Sequence, residues 1–178
     1  MNSKYDDVVL SKAKRIKLLA LDVDGVLTNG QIVYDSHGNQ LHFFHVRDGL
    51  GIKLLMQSGV EVAVISARSS KALEKRCCEL GINFVFQGEK DKLLCLNKLI
   101  NRLNLSMEHV CSVGDDLIDL PILKKSGLSV TVGDAPKIIF DYVDYVTTAS
   151  GGFGAVREVC ELILIAKGVW NKILEGYL

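Results

Sequence analysis

Short apolar runs and amphipathic stretches alternate along this chain. Six runs read as strands: Lys17–Asp22, Val60–Ser66, Asn83–Phe86, Val110–Gly114, Leu128–Val132 and Tyr142–Thr147. Between and after them, helical spacing marks Asp48–Gln57, Ser69–Leu80, Lys90–Leu103, Leu117–Lys125, Pro136–Phe140 and Ala155–Ala166. Gly59, Gly81 and Gly127 fall where helices should stop. Repeated strand–helix units predict an α/β, Rossmann-like fold, a mainly parallel sheet with helices on both faces. At 178 residues, with no linker, repeat or low-complexity segment, the chain is expected to form one domain over residues 1–178, with a tail from about 168 to 178.

One piece breaks the alternation. Gln31–Tyr34 and Gln40–His45 flank a turn-forming Asp35-Ser36-His37-Gly38-Asn39, which predicts a β-hairpin inserted after the first strand, over about residues 30–46. Its strands carry more aromatic and branched residues than a solvated flap needs, which points to a contact with another copy of the chain.

Composition narrows the function. Formal net charge is +0, and basic residues form no dense stripe, so nucleic acid is not the expected partner. No apolar run approaches the roughly 18–20 residues of a spanning helix, and the first seventeen residues are charged, without the apolar core of a secretion signal. No membrane partner is expected. Five cysteines without CxxC spacing read as reduced thiols and suggest the cytoplasm.

The chemistry sits at the ends of the strands. Asp22 and Asp24, two positions apart on an extended chain, point to the same side where the first strand leaves the sheet. Such close like charges call for a metal, a shared proton or both. Ser66 ends the second strand, Lys92 follows the third, and Gly114-Asp115-Asp116-Leu117-Ile118-Asp119 follows the fourth. In a parallel sheet these ends converge on one crevice. Singly, each has a bland explanation: turn aspartates, a serine helix cap, a solvated lysine, acids in the first turn of a helix. Together they suit phosphoryl transfer, which needs charge neutralisation and positioning above all. Asp22 and Asp115 could offer carboxylates to magnesium from different strands, while Ser66 and Lys92 hold phosphate oxygens. One aspartate can then attack phosphorus and the other handle protons.

These residues resemble the four motifs of the haloacid dehalogenase superfamily. A closer resemblance is to the 3-deoxy-D-manno-octulosonate 8-phosphate phosphatase family, carried by Asp22–Thr28, by His45-Val46-Arg47-Asp48-Gly49, by Gly114–Asp119 and by Gly151-Gly152-Phe153-Gly154-Ala155-Val156-Arg157-Glu158. The resemblance runs from about Ile16 to about Lys167. It implies that Asp22 is the nucleophile that becomes an aspartyl phosphate, and that Asp24 is the general acid and then the base. It further implies magnesium held by Asp22, the main-chain carbonyl of Asp24 and Asp115, with Asp116 and Asp119 behind or on its waters. Ser66 and Lys92 would bind the transferring phosphoryl group. Sugar-acid contacts would come from Asp24, His45, Val46, Arg47, Asp48, Gly49, Lys53, Arg68, Arg76 and Lys92. Arg68 and Arg76, eight apart, are expected to share a face of the next helix. A guanidinium suits a carboxylate because its fork engages both oxygens. Lys53 stands where the family often has arginine, and Phe153 where it often has a polar or basic residue.

Too little chain separates Asp24 from Ser66, or Ser66 from Lys92, to hold a cap domain. The family's solution is a homotetramer with hairpins packed at its centre. The implied activity is release of 3-deoxy-D-manno-octulosonate from its 8-phosphate for lipopolysaccharide core synthesis. Two alternatives keep the fold: a phosphatase of a nine-carbon, sialic-acid-type 9-phosphate, and a non-catalytic oligomerisation module. A phospho-accepting receiver domain also uses acids, a hydroxyl and a lysine. It would need an acidic pair on the first strand and its acceptor on a later one.

Overall fold

The computed structural model describes residues 5–178. Along the chain run α1 (Asp7–Lys14), β1 (Leu18–Leu21), the hairpin strands β2 (Val33–Tyr34) and β3 (Gln40–Leu41), and α2 (Val46–Gln57). Next come β4 (Glu61–Ser66), α3 (Lys71–Leu80), β5 (Phe84–Gln87), α4 (Lys92–Arg102) and β6 (Val110–Val113). The chain continues through a 3-10 turn (Leu117–Asp119), α5 (Leu120–Leu123), β7 (Leu128–Thr131), α6 (Lys137–Phe140), β8 (Tyr145–Val146), α7 (Ala155–Ala166) and α8 (Trp170–Glu175).

Six strands pair in the order β5-β4-β1-β6-β7-β8, every pair parallel. Side chains of a strand alternate between faces, and the two cores follow that alternation. Leu19, Leu21, Val62 and Val64 pack with α1, α2, α3 and α7 on one face. Leu18, Ala20, Ala63 and Ile65 pack with α4, α5 and α6 on the other. Helices on both faces hide the sheet, which is why its strands read as near-continuous apolar runs.

Strand order reverses about β1, which has β4 on one side and β6 on the other. Leu21 is level with Val64 of β4 and Val113 of β6. The residues after these three positions therefore emerge side by side at the carboxyl edge, where ligands of open α/β sheets bind. Only the hairpin and α2 lie between β1 and β4, and only α3 and β5 between β4 and α4, so the fold carries no cap at either position.

Three expectations change. The hairpin pairs over only two residues per strand, Val33 with Leu41 and Tyr34 with Gln40. Its turn is tied by Asp35, whose Oδ1 accepts from the backbone N–H groups of His37 and Asn39 at 2.8 Å. Helices α1 and α8 were not anticipated, because short helices with few buried positions have almost no periodic signal. Val9 and Ala13 are the buried residues of α1, and α8 buries none. Finally, α3 starts at Lys71 with Ser70 as its cap, so Arg68 lies in the preceding loop and shares no helical face with Arg76.

Among the described residues no helix is long and apolar enough to cross a membrane. All five cysteines are free thiols, and only Cys78 is exposed.

Candidate active site

The site is built where β1, β4 and β6 end. Asp22 continues β1, its N–H donating to the Val113 carbonyl at 3.0 Å. Ser66 is the last residue of β4 and Lys92 the first of α4, whose N-terminus is capped by Asp91. Asp115 follows β6. Asp22, Ser66 and Lys92 are all buried.

Lys92 links two acids. Its Nζ lies 2.7 Å from Asp22 Oδ1 and 2.6 Å from Asp119 Oδ1. Burial alone would pull the ammonium down, but Asp22 and Asp119 more than offset this and hold Lys92 above its ordinary value. Asp119 is 1 % exposed, and its second oxygen accepts from the backbone N–H groups of Asp115 (3.1 Å) and Asp116 (3.3 Å). Both oxygens of Asp119 are thus engaged. Asp119 fixes Lys92 and the Asp115 loop together, a role the spacing of the fourth motif does not reveal.

One oxygen each from Asp22, Asp115 and Asp119 lie within 4.8 Å of one another. Burial, then the charges of Asp22 and Asp119, push Asp115 up to about 7. Burial and then Asp119 also raise Asp22, despite the ammonium beside it. Three carboxylates facing one buried ammonium form an electron-rich set short of positive charge. That oxygen-only donor set fits a hard divalent cation such as magnesium. Gly25 is required here: its φ is +83°, and a Cβ at this position would overlap the Asp115 carboxylate.

A cleft of about 290 Å³ opens over these groups, lined by Asp22, Asp24, Gly30, Ser66, Ala67, Arg68, Asp115, Asp116 and Ile118. Arg68 reaches across it. One guanidinium nitrogen is 3.8 Å from Asp24 Oδ2, and another donates to Gln40 Oε1 of the hairpin at 3.1 Å. Asp116 caps the 3-10 turn, accepting from Leu117 N at 2.7 Å.

The expected sugar contacts divide into two groups. Arg47, Lys53 and Val46 are exposed on α2. His45 borders a second opening of about 360 Å³ with Asn29, Gln31, Phe43, Phe44, Gly152 and Phe153. Asp48 and Gly49 are buried, and with His45 and Arg76 they line an inner cavity of about 10 Å³, room for about one water. Both lie beneath the surface that α2 presents. Arg76 passes over Gly49 and pairs with Glu79 at 3.6 Å.

Sequence reasoning also missed two backbone anchors. Glu158 accepts from the N–H groups of Thr148 and Ala149 at 3.1 Å and from the Tyr145 hydroxyl at 2.5 Å. Asp48 Oδ1 accepts from Arg157 N at 2.7 Å. Both unite segments that only the fold brings together.

A capless parallel sheet with an acid-hydroxyl-lysine-acid set at its carboxyl edge defines a haloacid dehalogenase-like hydrolase. A sequence-family model described in those words matches residues 79–158. The chain is 49% identical, over 160 residues, to the 3-deoxy-D-manno-octulosonate 8-phosphate phosphatase of Escherichia coli K12, covering 90% of this chain and 85% of that one. It superposes on the crystal structure of the Moraxella catarrhalis phosphatase of the same name, in complex with magnesium, phosphate and KDO. There the TM-score is 0.95 at 42% identity, with 98% of this chain and 100% of the other covered. The cobalt-bound form of the Haemophilus influenzae phosphatase superposes with a TM-score of 0.86 at 43% identity, covering 89% of this chain and 93% of that one. The chain belongs to the 3-deoxy-D-manno-octulosonate 8-phosphate phosphatase family.

Proposed function

We propose that this protein hydrolyses 3-deoxy-D-manno-octulosonate 8-phosphate to the free sugar acid and phosphate, supplying lipopolysaccharide core synthesis. The observation that carries the reading is the buried Asp22. One of its oxygens is tied to Lys92, and the carboxylate stands beside Asp115 at the floor of an open cleft that also holds Ser66.

Asp22, Asp115 and the main-chain carbonyl of Asp24 would hold magnesium, which when bound neutralises phosphate charge and keeps nearby carboxylates ionised. Ser66 and Lys92 bind the phosphoryl oxygens. An Asp22 carboxylate oxygen attacks phosphorus. The bond from phosphorus to the sugar oxygen breaks, its electron pair stays on that oxygen, and Asp24 gives up its proton there. Water then attacks the aspartyl phosphate. Asp24 takes a proton from that water, the Asp22–phosphorus bond breaks, and Asp22 is restored. Asp116 and Asp119 act behind these groups, and Asp119 holds Lys92 in place.

The sugar acid would meet His45, Val46, Arg47, Lys53, Arg68 and Arg76. The span of Arg68 from Asp24 to the hairpin supports its contact with the sugar acid. The hairpin exposes Ile32, Tyr34, Leu41 and Phe43, and this apolar surface supports a homotetramer packed through it. Five free thiols suit a reducing cytoplasm.

A substrate panel tests the reading. Release of phosphate from the eight-carbon sugar-acid 8-phosphate should require magnesium, stop with a chelator, and exceed release from a nine-carbon sialic-acid-type 9-phosphate. Preference for the nine-carbon substrate would reassign the sugar. No release from any phosphoester would overturn the enzyme reading.

A further inference from the structure

We infer that Asp48 is a positioning residue, which acts on the Asp24 loop through the start of α7 and the Gly151–Gly152 turn. The inference rests on the phosphatase reading and adds a role to it.

Helix α7 begins at Ala155 after Gly154, which offers no side-chain cap. Its first N–H groups still need acceptors. Asp48 supplies one from a different helix, 109 residues earlier, its Oδ1 accepting from Arg157 N at 2.7 Å. Burial raises Asp48, while the Arg157 N–H opposes this by favouring its charged form. A carboxylate at a helix N-terminus is also favoured by the helix dipole. The acid of the His45–Gly49 segment and the backbone of the Gly151–Glu158 segment are thus two halves of one cap.

The residues just before α7 press on the catalytic loop. Gly152 N donates to Val26 O at 2.9 Å. A Cβ on Gly151 would overlap the Gly25 carbonyl, and one on Gly152 would overlap Thr28 and Asn29 backbone. Gly152 also has a φ of +70°, so alanine there is strained as well as crowded. Residues 25–29 directly follow Asp24. The turn 151–152 has one more tether, Gly151 N to the exposed Asp134 Oδ1 at 2.9 Å. Asp24 is therefore braced from behind by a turn held at one end by Asp134 and at the other by the helix that Asp48 caps. Displacing a catalytic group by about 1 Å can cost about a hundredfold in rate.

The experiment compares Asp48→Ala, Asp48→Asn and Asp134→Ala with the wild type on two substrates, the sugar-acid 8-phosphate and p-nitrophenyl phosphate, under saturating magnesium. Rates are normalised to folded protein by circular dichroism. For D48A, kcat should fall about ten- to hundredfold on both substrates, with both KM values within twofold of wild type. D48N should recover most of the loss, because its carbonyl oxygen can still accept from Arg157 N. A rise in KM for the sugar phosphate alone would overturn the inference in favour of a substrate contact. Unchanged kcat per folded molecule, with only a lower melting temperature, would overturn it in favour of a merely structural cap. If D48A does not fold, D134A tests the other tether from the surface: kcat should fall severalfold on both substrates, and an unchanged kcat would sink the inference. A wild type inactive on both substrates would instead remove the phosphatase reading itself.

Discussion

The Lys92 ammonium sits 2.7 Å from a carboxylate oxygen of Asp22, and both groups are almost completely buried. Asp22 therefore lies in a fixed position with one oxygen occupied, in the lining of the cleft. Replacing Lys92 with Met should remove the counter-charge from Asp22 and Asp119 at once. Breaking a buried pair by deleting one partner costs about 3–5 kcal/mol. Thermal unfolding should show a clear loss of stability, and phosphate release should fall at least a hundredfold. A variant with near-normal turnover would remove Lys92 from the phosphate site.

Asp24→Asn separates proton transfer from metal binding. The side chain keeps its shape and the main-chain carbonyl is untouched, so magnesium should bind with similar affinity in calorimetry. Turnover of the sugar phosphate should fall by about 10²–10⁴ because the leaving oxygen lacks its acid.

Magnesium binding should be strongly pH-dependent. Asp115 is pushed up to about 7 by burial and neighbouring acids, and Asp22 is also raised. A carboxyl raised in the folded state binds more protons folded than unfolded. Its stabilising contribution is complete below the unfolded value of 3.8 and is lost as pH rises through the folded value. The metal-free protein should therefore lose stability between about pH 4 and about pH 7. Magnesium competes with those protons, so the melting-temperature gain on adding it should be larger at pH 8 than at pH 5.5. Equal gains at the two pH values would refute this.

Gly25→Ala should damage the metal site without altering any charge. A methyl group there meets the Asp115 carboxylate, and the backbone holds a positive φ that alanine disfavours. Weaker magnesium affinity, with activity partly restored by excess metal, is the expected outcome in a metal titration.

Arg68→Ala should distinguish the sugar end from the phosphate end. The Arg68 guanidinium touches Asp24 and Gln40, with no hydrogen bond to Asp22 or Lys92. KM for the sugar-acid phosphate should rise about tenfold or more, while p-nitrophenyl phosphate is far less affected. An equal loss on both substrates would place Arg68 in the chemical step.

The sequence alone determined the parallel α/β sheet and the acids, hydroxyl and lysine at its strand ends. Strands buried on both faces must be apolar, and a polar residue that ends such a run marks the edge of the sheet. Tertiary structure decided the rest. Asp119 differs in no local way from Asp116, yet one is 1 % exposed between Lys92 and the Asp115 loop while the other is exposed at a turn. Arg68 left its expected helix because Ser70, not an earlier residue, caps α3. Asp48 turned inward because an uncapped helix more than a hundred residues away needed an acceptor. Periodicity shows which residues leave the solvent, but the partner of a buried charge is chosen by whichever distant backbone folding brings within hydrogen-bond reach.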